Sequence, residues 1–172
     1  MTDSASLDAF LDKWRAQWPE WAVAEAFVPQ AQRERAQAWF ALRDELMEAA
    51  WGGDDPTPGA AKLLWWEEEL AGWSRGARRH PLGLALQKVP AHWDVLAASL
   101  PALRASRGTG RVADAHAQAL TAIEADLFAD GGRITRIHAA LEHARQQRTA
   151  AGKPLPLPRF STLFTAWRAA RG

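Results

Sequence analysis

Three adjoining stretches decide how this chain folds: residues 39–51, WFALRDELMEAAW; residues 52–59, GGDDPTPG; and residues 60–73, AAKLLWWEEELAGW. The outer two repeat apolar residues at helical spacing and are rich in strong helix formers. The middle one is a cluster of glycine, aspartate and proline, the residues that turn a chain. The reading is two helices joined by a turn. They carry the densest run of carboxylates in the chain and many of its tryptophans.

At 100° per residue, Ala36, Phe40, Met47 and Trp51 share one face of the first helix. Asp44 falls on that same face, Glu48 at its border, and Glu45 further round toward solvent. An ionised carboxylate on an apolar stripe is costly unless something pairs with it. Asp44 and Glu48 therefore require an arginine, a hydrogen-bonding group or a metal. An i,i+4 acidic pair facing a cavity has suitable spacing for Mg²⁺, which takes one or two protein carboxylates and fills its remaining positions with phosphate and water. On the second helix Leu63, Trp66, Leu70 and Trp73 form the seam. Glu67 borders it, and Glu68 and Glu69 lie off it. Trp65 and Trp66 read as core. Arg75, Arg78, Arg79 and His80 then form the one local basic cluster. Arginine forks can grip phosphate, although a solvated loop is the plainer reading.

Composition narrows the classes. A chain of 172 residues can bury a proper core as a single domain. A net charge of +1 gives no strong field toward nucleic acid. The absence of cysteine excludes disulfides, thiol chemistry and thiolate metal sites. The first ten residues, MTDSASLDAF, lack a basic region followed by an apolar one, so no signal peptide is expected. No run approaches the ~20 apolar residues of a spanning helix. The expectation is a cytoplasmic protein, with exposed tryptophans allowing peripheral contact with a membrane surface.

The remaining segments are helical too. Residues 4–18 place Leu7, Phe10, Leu11, Trp14 and Trp18 on one stripe, and Pro19 ends them. A short segment follows at 21–28, and Pro29 opens the helix that reaches Trp51. Further helices are expected at 82–88, 91–100, 112–129 and 133–149, with Pro101 starting a separate short piece. In the last of these Ile134, Ile137, Leu141 and Ala144 face inward. The other side, with Arg136, Glu142, Arg145, Gln146 and Arg148, reads as solvated. Residues 153–159, KPLPLPR, form an extended connector, and Ser161 caps a final helix. No alternating strand pattern occurs. The fold class is all-α, a helical bundle or orthogonal array.

Residues 38–51, then KLLWWEEELAGW (62–73), then RRHPLGLAL (78–86) resemble the N-terminal part of the squalene and phytoene synthases, over roughly residues 20–90. That family has a helix of the form A-x-Y-A-F-x-R-x-x-D-D-x-x-D, then K-L-x-W-W-x-x-E-L, then H-P-x-x-x-A-L. The resemblance implies a shortened isoprenoid synthase fold and an Mg²⁺ site on Asp44, Glu45 and Glu48, with Asp44 and Glu48 catalytic. It implies a prenyl diphosphate or related isoprenoid lipid as ligand. Phe40, Arg43, Met47, Trp65 and Trp66 would line it, and Arg78 or Arg79 would hold its diphosphate. Two departures stand out. The acidic motif reads Asp-Glu-Leu-Met-Glu where the family has aspartates. The family's second motif, N-x-x-R-D-x-x-x-D, has only Asp126 and Asp130 to answer it, and these read as surface and helix-end residues. A non-catalytic relative, acting as a lipid-binding, assembly or interaction factor, is the alternative.

Overall fold

In a computed structural model, residues 3–129 and 132–172 are described, and every regular element among them is a helix. The elements are α1 (Asp3–Gln17), α2 (Trp21–Ala24) with a 3₁₀ turn at Glu25–Phe27, α3 (Gln30–Trp51), α4 (Thr57–Trp73), α5 (Gly83–Leu86), α6 (Trp93–Ala105), α7 (Asp114–Leu127), α8 (Arg133–Ala150) and α9 (Arg159–Arg171). Local chemistry sets their ends. Pro29 and Pro158 precede α3 and α9, where the fixed φ of proline suits a helix start. Past α3 the chain turns at Gly53, whose φ of +64° favours glycine. Asp55 Oδ1 then accepts from the Thr57 backbone N–H at 2.9 Å as α4 begins.

The organising element is α3. Residues Ala36 through Leu42 are all buried, so the middle of this helix is enclosed on every side. It meets α1, α4, α5 and α6; α4 packs on α6, α6 on α7, and α8 on α9. The buried apolar residues form one cluster that runs from Leu7 to Ala166. Trp21, Trp39, Trp66, Trp73 and Trp93 are among its largest members. Two contacts lock α3 to its neighbours. A Cβ added at Gly59 would overlap the Ala49 carbonyl, so only glycine lets the start of α4 come this close. At the C-terminal end, Arg107 Nη1 donates to the carbonyls of Ala50 (3.1 Å) and Gly52 (3.0 Å), and its Nη2 reaches that of Gly53. A guanidinium at the negative end of a helix satisfies carbonyls that have no N–H of their own.

Four sequence expectations change. Pro101 does not start a new piece but lies inside α6, which continues to Ala105. Leu96, Leu100 and Leu103 are buried on both sides of it, and their burial offsets the lost backbone bond. Ser161 does not cap the last helix, which already begins at Arg159. Glu69, expected off the seam, is 2% exposed. Its Oε1 accepts from Trp73 Nε1 (2.8 Å) and from the backbone N–H of Arg79 (2.7 Å) and His80 (2.8 Å), and its Oε2 from Arg79 Nε (3.0 Å). It thereby fastens the 74–82 loop to the end of α4. The outer side of α8 is not uniformly solvated either, because Arg145 turns inward to an ion pair with Glu20.

Gly59→Ala should destabilise the fold by about 2 kcal/mol, the scale of a forced overpacking, read as a lower denaturant midpoint without a change in slope. Glu69 makes a pH-dependent prediction. Burial raises its pKa, but the backbone N–H groups of Arg79 and His80 and the side chains of Trp73 and Arg79 lower it more, and the net direction is down. Its contribution is therefore complete above the ordinary value of 4.5 and is lost as pH falls below that toward the depressed value. Glu69→Gln should be clearly less stable than the parent at neutral pH. The gap between them should narrow in thermal melts as the pH is taken below that ordinary value.

Candidate functional site

Trp14 in the last turn of α1 and Trp18 just past its end present their indole N–H groups to the same oxygen of α3. Trp14 Nε1 donates to Asp44 Oδ2 at 2.8 Å and Trp18 Nε1 donates to it at 2.7 Å. The partner demanded by an acid on an apolar stripe is thus a pair of indoles. Asp44 Oδ1 carries no hydrogen bond from the described residues. Burial raises the Asp44 pKa. The two indoles and Arg43 oppose that rise, Glu142 on α8 adds to it, and the net direction is upward. Two neutral donors satisfy the hydrogen-bonding of Oδ2 without neutralising its charge, so an added cation would be favoured here.

Asp44 opens onto a cleft of about 780 Å³ between α1, α3, α4 and α8. Three carboxylates line it, Asp44, Glu45 and Glu48, with three cations, Lys13, Lys62 and Arg145. Trp18, Met47 and Trp51 supply apolar wall. Glu45 is engaged by the Lys62 ammonium across the α3–α4 groove. The Glu48 carboxylate lies against Gly52, where an added Cβ would collide with it. The last turn of α3 has no basic residue of its own, and Arg107 from beyond α6 meets its terminal carbonyls while Glu48 faces the cleft. The donor set suits a hard divalent cation: carboxylate oxygens only, Asp44 and Glu48 one turn apart, with open space for water and phosphate. Among the described residues no group of three or more metal-ligating side chains converges. A cation here would depend on its ligand for further oxygens.

Behind Asp44 the interior is filled. His138 of α8 stacks on Phe40, with ring centroids 3.8 Å apart and planes 10° from parallel. Trp18 and Trp21 lie 4.8 and 6.1 Å from the same imidazole. Neither His138 nitrogen has a hydrogen-bond partner. Burial, followed by Arg43 and Arg145, holds its pKa well below the ordinary value, so the ring is neutral. Arg145 completes the wall. Its guanidinium lies 4.4 Å from the Trp18 ring centroid, and Nη1 donates to Glu20 Oε2 at 2.6 Å. Glu20 Oε1 also accepts the Leu157 N–H at 2.9 Å, so one buried carboxylate joins α2, α8 and the proline-rich connector.

Of the residues expected at the site, Asp44, Glu45, Met47 and Glu48 line the cleft. Phe40 is fully buried behind it. Arg43 turns toward α7, where Arg43 Nη1 and Trp39 Nε1 both donate to Glu124 Oε1 at 3.0 Å. Trp66 is in the core, and Trp65 packs against both Trp66 and His80, with Arg79 over its ring at 5.2 Å. Arg78 and Arg79 line a separate depression of about 740 Å³ with Arg75 and Glu67–Glu69. Arg79 is held there by Glu69 and Glu68. Asp126 accepts from His92, through the backbone N–H at 3.1 Å and Nδ1 at 2.6 Å. Asp130 lies outside the described residues.

Sequence reasoning missed Trp14, Trp18, Glu20, His138 and Arg145 as members of this site. The two tryptophans were legible as a stripe, but nothing in their spacing says that their N–H groups, not only their rings, are used. Glu20 meets Arg145 across a separation of 125 residues, and His138 meets Trp21 beside them, neighbours in space that no local pattern records.

Arg145→Ala would leave Glu20 buried without its countercharge. The expected loss is about 3–5 kcal/mol, measured by equilibrium denaturation. Asp44→Asn keeps an acceptor for the indoles and removes a charge that burial disfavours. Because the Asp44 pKa is raised, its ionisation opposes folding above that raised value and has no effect below the ordinary 3.8. The variant should therefore melt higher than the parent at neutral pH, and the difference should vanish on acidification toward that value.

Comparison with protein-family models, with curated proteins and with solved structures finds no match for this chain.

Proposed function

We propose that the Asp44 cleft binds the diphosphate head of a prenyl diphosphate together with Mg²⁺, and that the protein acts as a binder of that ligand and not as a coupling enzyme. One observation carries the reading: an incompletely satisfied, part-buried carboxylate with a raised pKa shares an open cleft with a second carboxylate one turn on and with cations on the facing helices. Mg²⁺, when bound, supplies positive charge that neutralises diphosphate oxygens. Asp44 Oδ1 and Glu48 would hold it. Lys13, which lines the same cleft, is placed to take a remaining phosphate oxygen. Trp18, Met47 and Trp51 give the first part of an isoprenoid chain an apolar surface. The resemblance to the squalene and phytoene synthases at residues 38–51, 62–73 and 78–86 supports the choice of ligand.

Binding without coupling is preferred for two reasons. Among the described residues, the rings of Phe40, His138 and Trp21 pack against one another behind Asp44, where a tunnel for two prenyl chains would have to run. Head-to-head coupling needs both chains held together away from water. In addition, Asp126 is engaged by His92 and does not line this cleft.

Titration calorimetry with geranyl or farnesyl diphosphate tests the proposal. Binding should require Mg²⁺, should weaken about tenfold or more in Asp44→Asn and in Glu48→Gln, and should fall with pH as protons compete for Asp44. Incubation with Mg²⁺ and NADPH should release no diphosphate above an Asp44→Ala control. Mg²⁺-independent binding, or equal affinity in the two variants, would remove the cleft from the reading. Release of diphosphate would make the protein an enzyme.

A further inference from the structure

The last helix leaves an apolar face uncovered. Thr162 and Ala166 of α9 are buried, and the helix packs against α8 and α2 through that side. The opposite side carries Phe160 (81% exposed), Leu163, Phe164 (54%) and Trp167. At 100° per residue these four fall within a single arc of about 100°, the i, i+3, i+4, i+7 pattern of an amphipathic helix. No other helix concentrates exposed large apolar residues in this way among the described residues, since Leu64 and Val95 stand on separate elements. Large exposed aromatic groups gathered on one stripe mark a contact surface.

Charge says what the surface meets. From residue 151 to residue 172 the chain contains Lys153, Arg159, Arg168 and Arg171 and no acidic residue. Arg159 and Arg168 fall on the two edges of the apolar arc. Arg171 sits within its C-terminal end, with its guanidinium 4.9 Å from the Trp167 ring centroid. Two further arginines from α8 reach the same segment, Arg136 Nε donating to the Ala169 carbonyl and Arg148 Nε to that of Pro154. Glu20, which accepts the Leu157 N–H in this segment, is buried and paired with Arg145, and Glu25 of the neighbouring 3₁₀ turn accepts from Gln37. An apolar, aromatic stripe edged only by arginines is what an interfacial helix presents to lipid. The rings enter the acyl boundary while the guanidinium groups stay at headgroup level.

We infer that α9 is a membrane-docking helix, which lays Phe160, Leu163, Phe164 and Trp167 into the surface of a bilayer that carries anionic lipid. No helix among the described residues is long and apolar enough to cross a membrane, so the contact is with the surface. The inference does not depend on what the Asp44 cleft binds.

Co-sedimentation of the full chain with phosphatidylcholine vesicles, with and without phosphatidylglycerol, tests it. The chain should pellet with the anionic vesicles, less so as salt is raised, and little with phosphatidylcholine alone. Phe160→Ser/Phe164→Ser should lower the bound fraction about tenfold or more, and Arg168→Ala/Arg171→Ala should abolish the preference for anionic lipid. The substituted side chains are exposed, so circular dichroism and melting temperature should match the parent; Asp44→Asn should bind vesicles as the parent does. Failure to pellet with anionic vesicles would overturn the inference, as would undiminished binding by the phenylalanine double variant. So would concentration-dependent self-association that this same variant removes, because the face would then belong to a second copy of the chain.

Discussion

The arrangement depends on how one carboxyl group is accommodated at the edge of the core. Asp44 stands on the central helix, and both hydrogen bonds that hold it come from indoles at the C-terminal end of α1, Trp14 in its last turn and Trp18 just beyond it. A single arginine in their place would have neutralised the charge and closed the site. Two indoles orient the carboxylate and cover its apolar side while leaving the charge in place. The stacked relation of the Trp14 and Trp18 rings, 6.2 Å apart and 25° from parallel, follows from both donors reaching for one atom. The seating of α1 on α3 is therefore a hydrogen-bonding requirement as well as a hydrophobic one.

From that contact the aromatic packing spreads inward. Trp18 meets His138, His138 meets Phe40, and Trp21 closes on both. An imidazole with neither nitrogen bonded is an unusual core residue, because it gives up hydrogen bonds to water and gains ring contacts alone. The cationic surroundings of Arg43 and Arg145 reinforce its neutral state. The contrast with His116 is instructive. That ring is also buried, but its Nδ1 meets Ser99 Oγ at 2.8 Å, and burial with the nearby Arg43 brings its pKa to about 4. One histidine is satisfied and structural; the other fills space beside a charged cleft.

Much of the fold could be read from the residues. The 3.6-residue periodicity of Leu7, Leu11 and Trp14, and of Leu63, Trp66, Leu70 and Trp73, is strong enough to place those helices and their inward faces, and all seven residues are buried. Proline was less informative, since Pro101 is tolerated inside α6 where flanking leucines are buried. The site was legible only on its own helix. Asp44, Glu45, Met47 and Glu48 fall together because spacing along α3 places them together. Trp65, Trp66, Arg78 and Arg79 follow closely in sequence yet belong elsewhere, because Glu69 folds the 74–82 loop back on α4 and carries the arginines to another face. Local patterns carry no information about such a fold-back, nor about Glu20 and Arg145 meeting.

The Glu20 junction bears on the order in which the molecule can be completed. During synthesis the first four helices emerge long before residues 145 and 157, which supply the countercharge and the backbone donor for that carboxylate. Until both arrive, Glu20 must stay hydrated, and the corner between α1 and α2 cannot close. Burial of Glu20 with both of its partners is therefore a late step, one that requires the C-terminal segment.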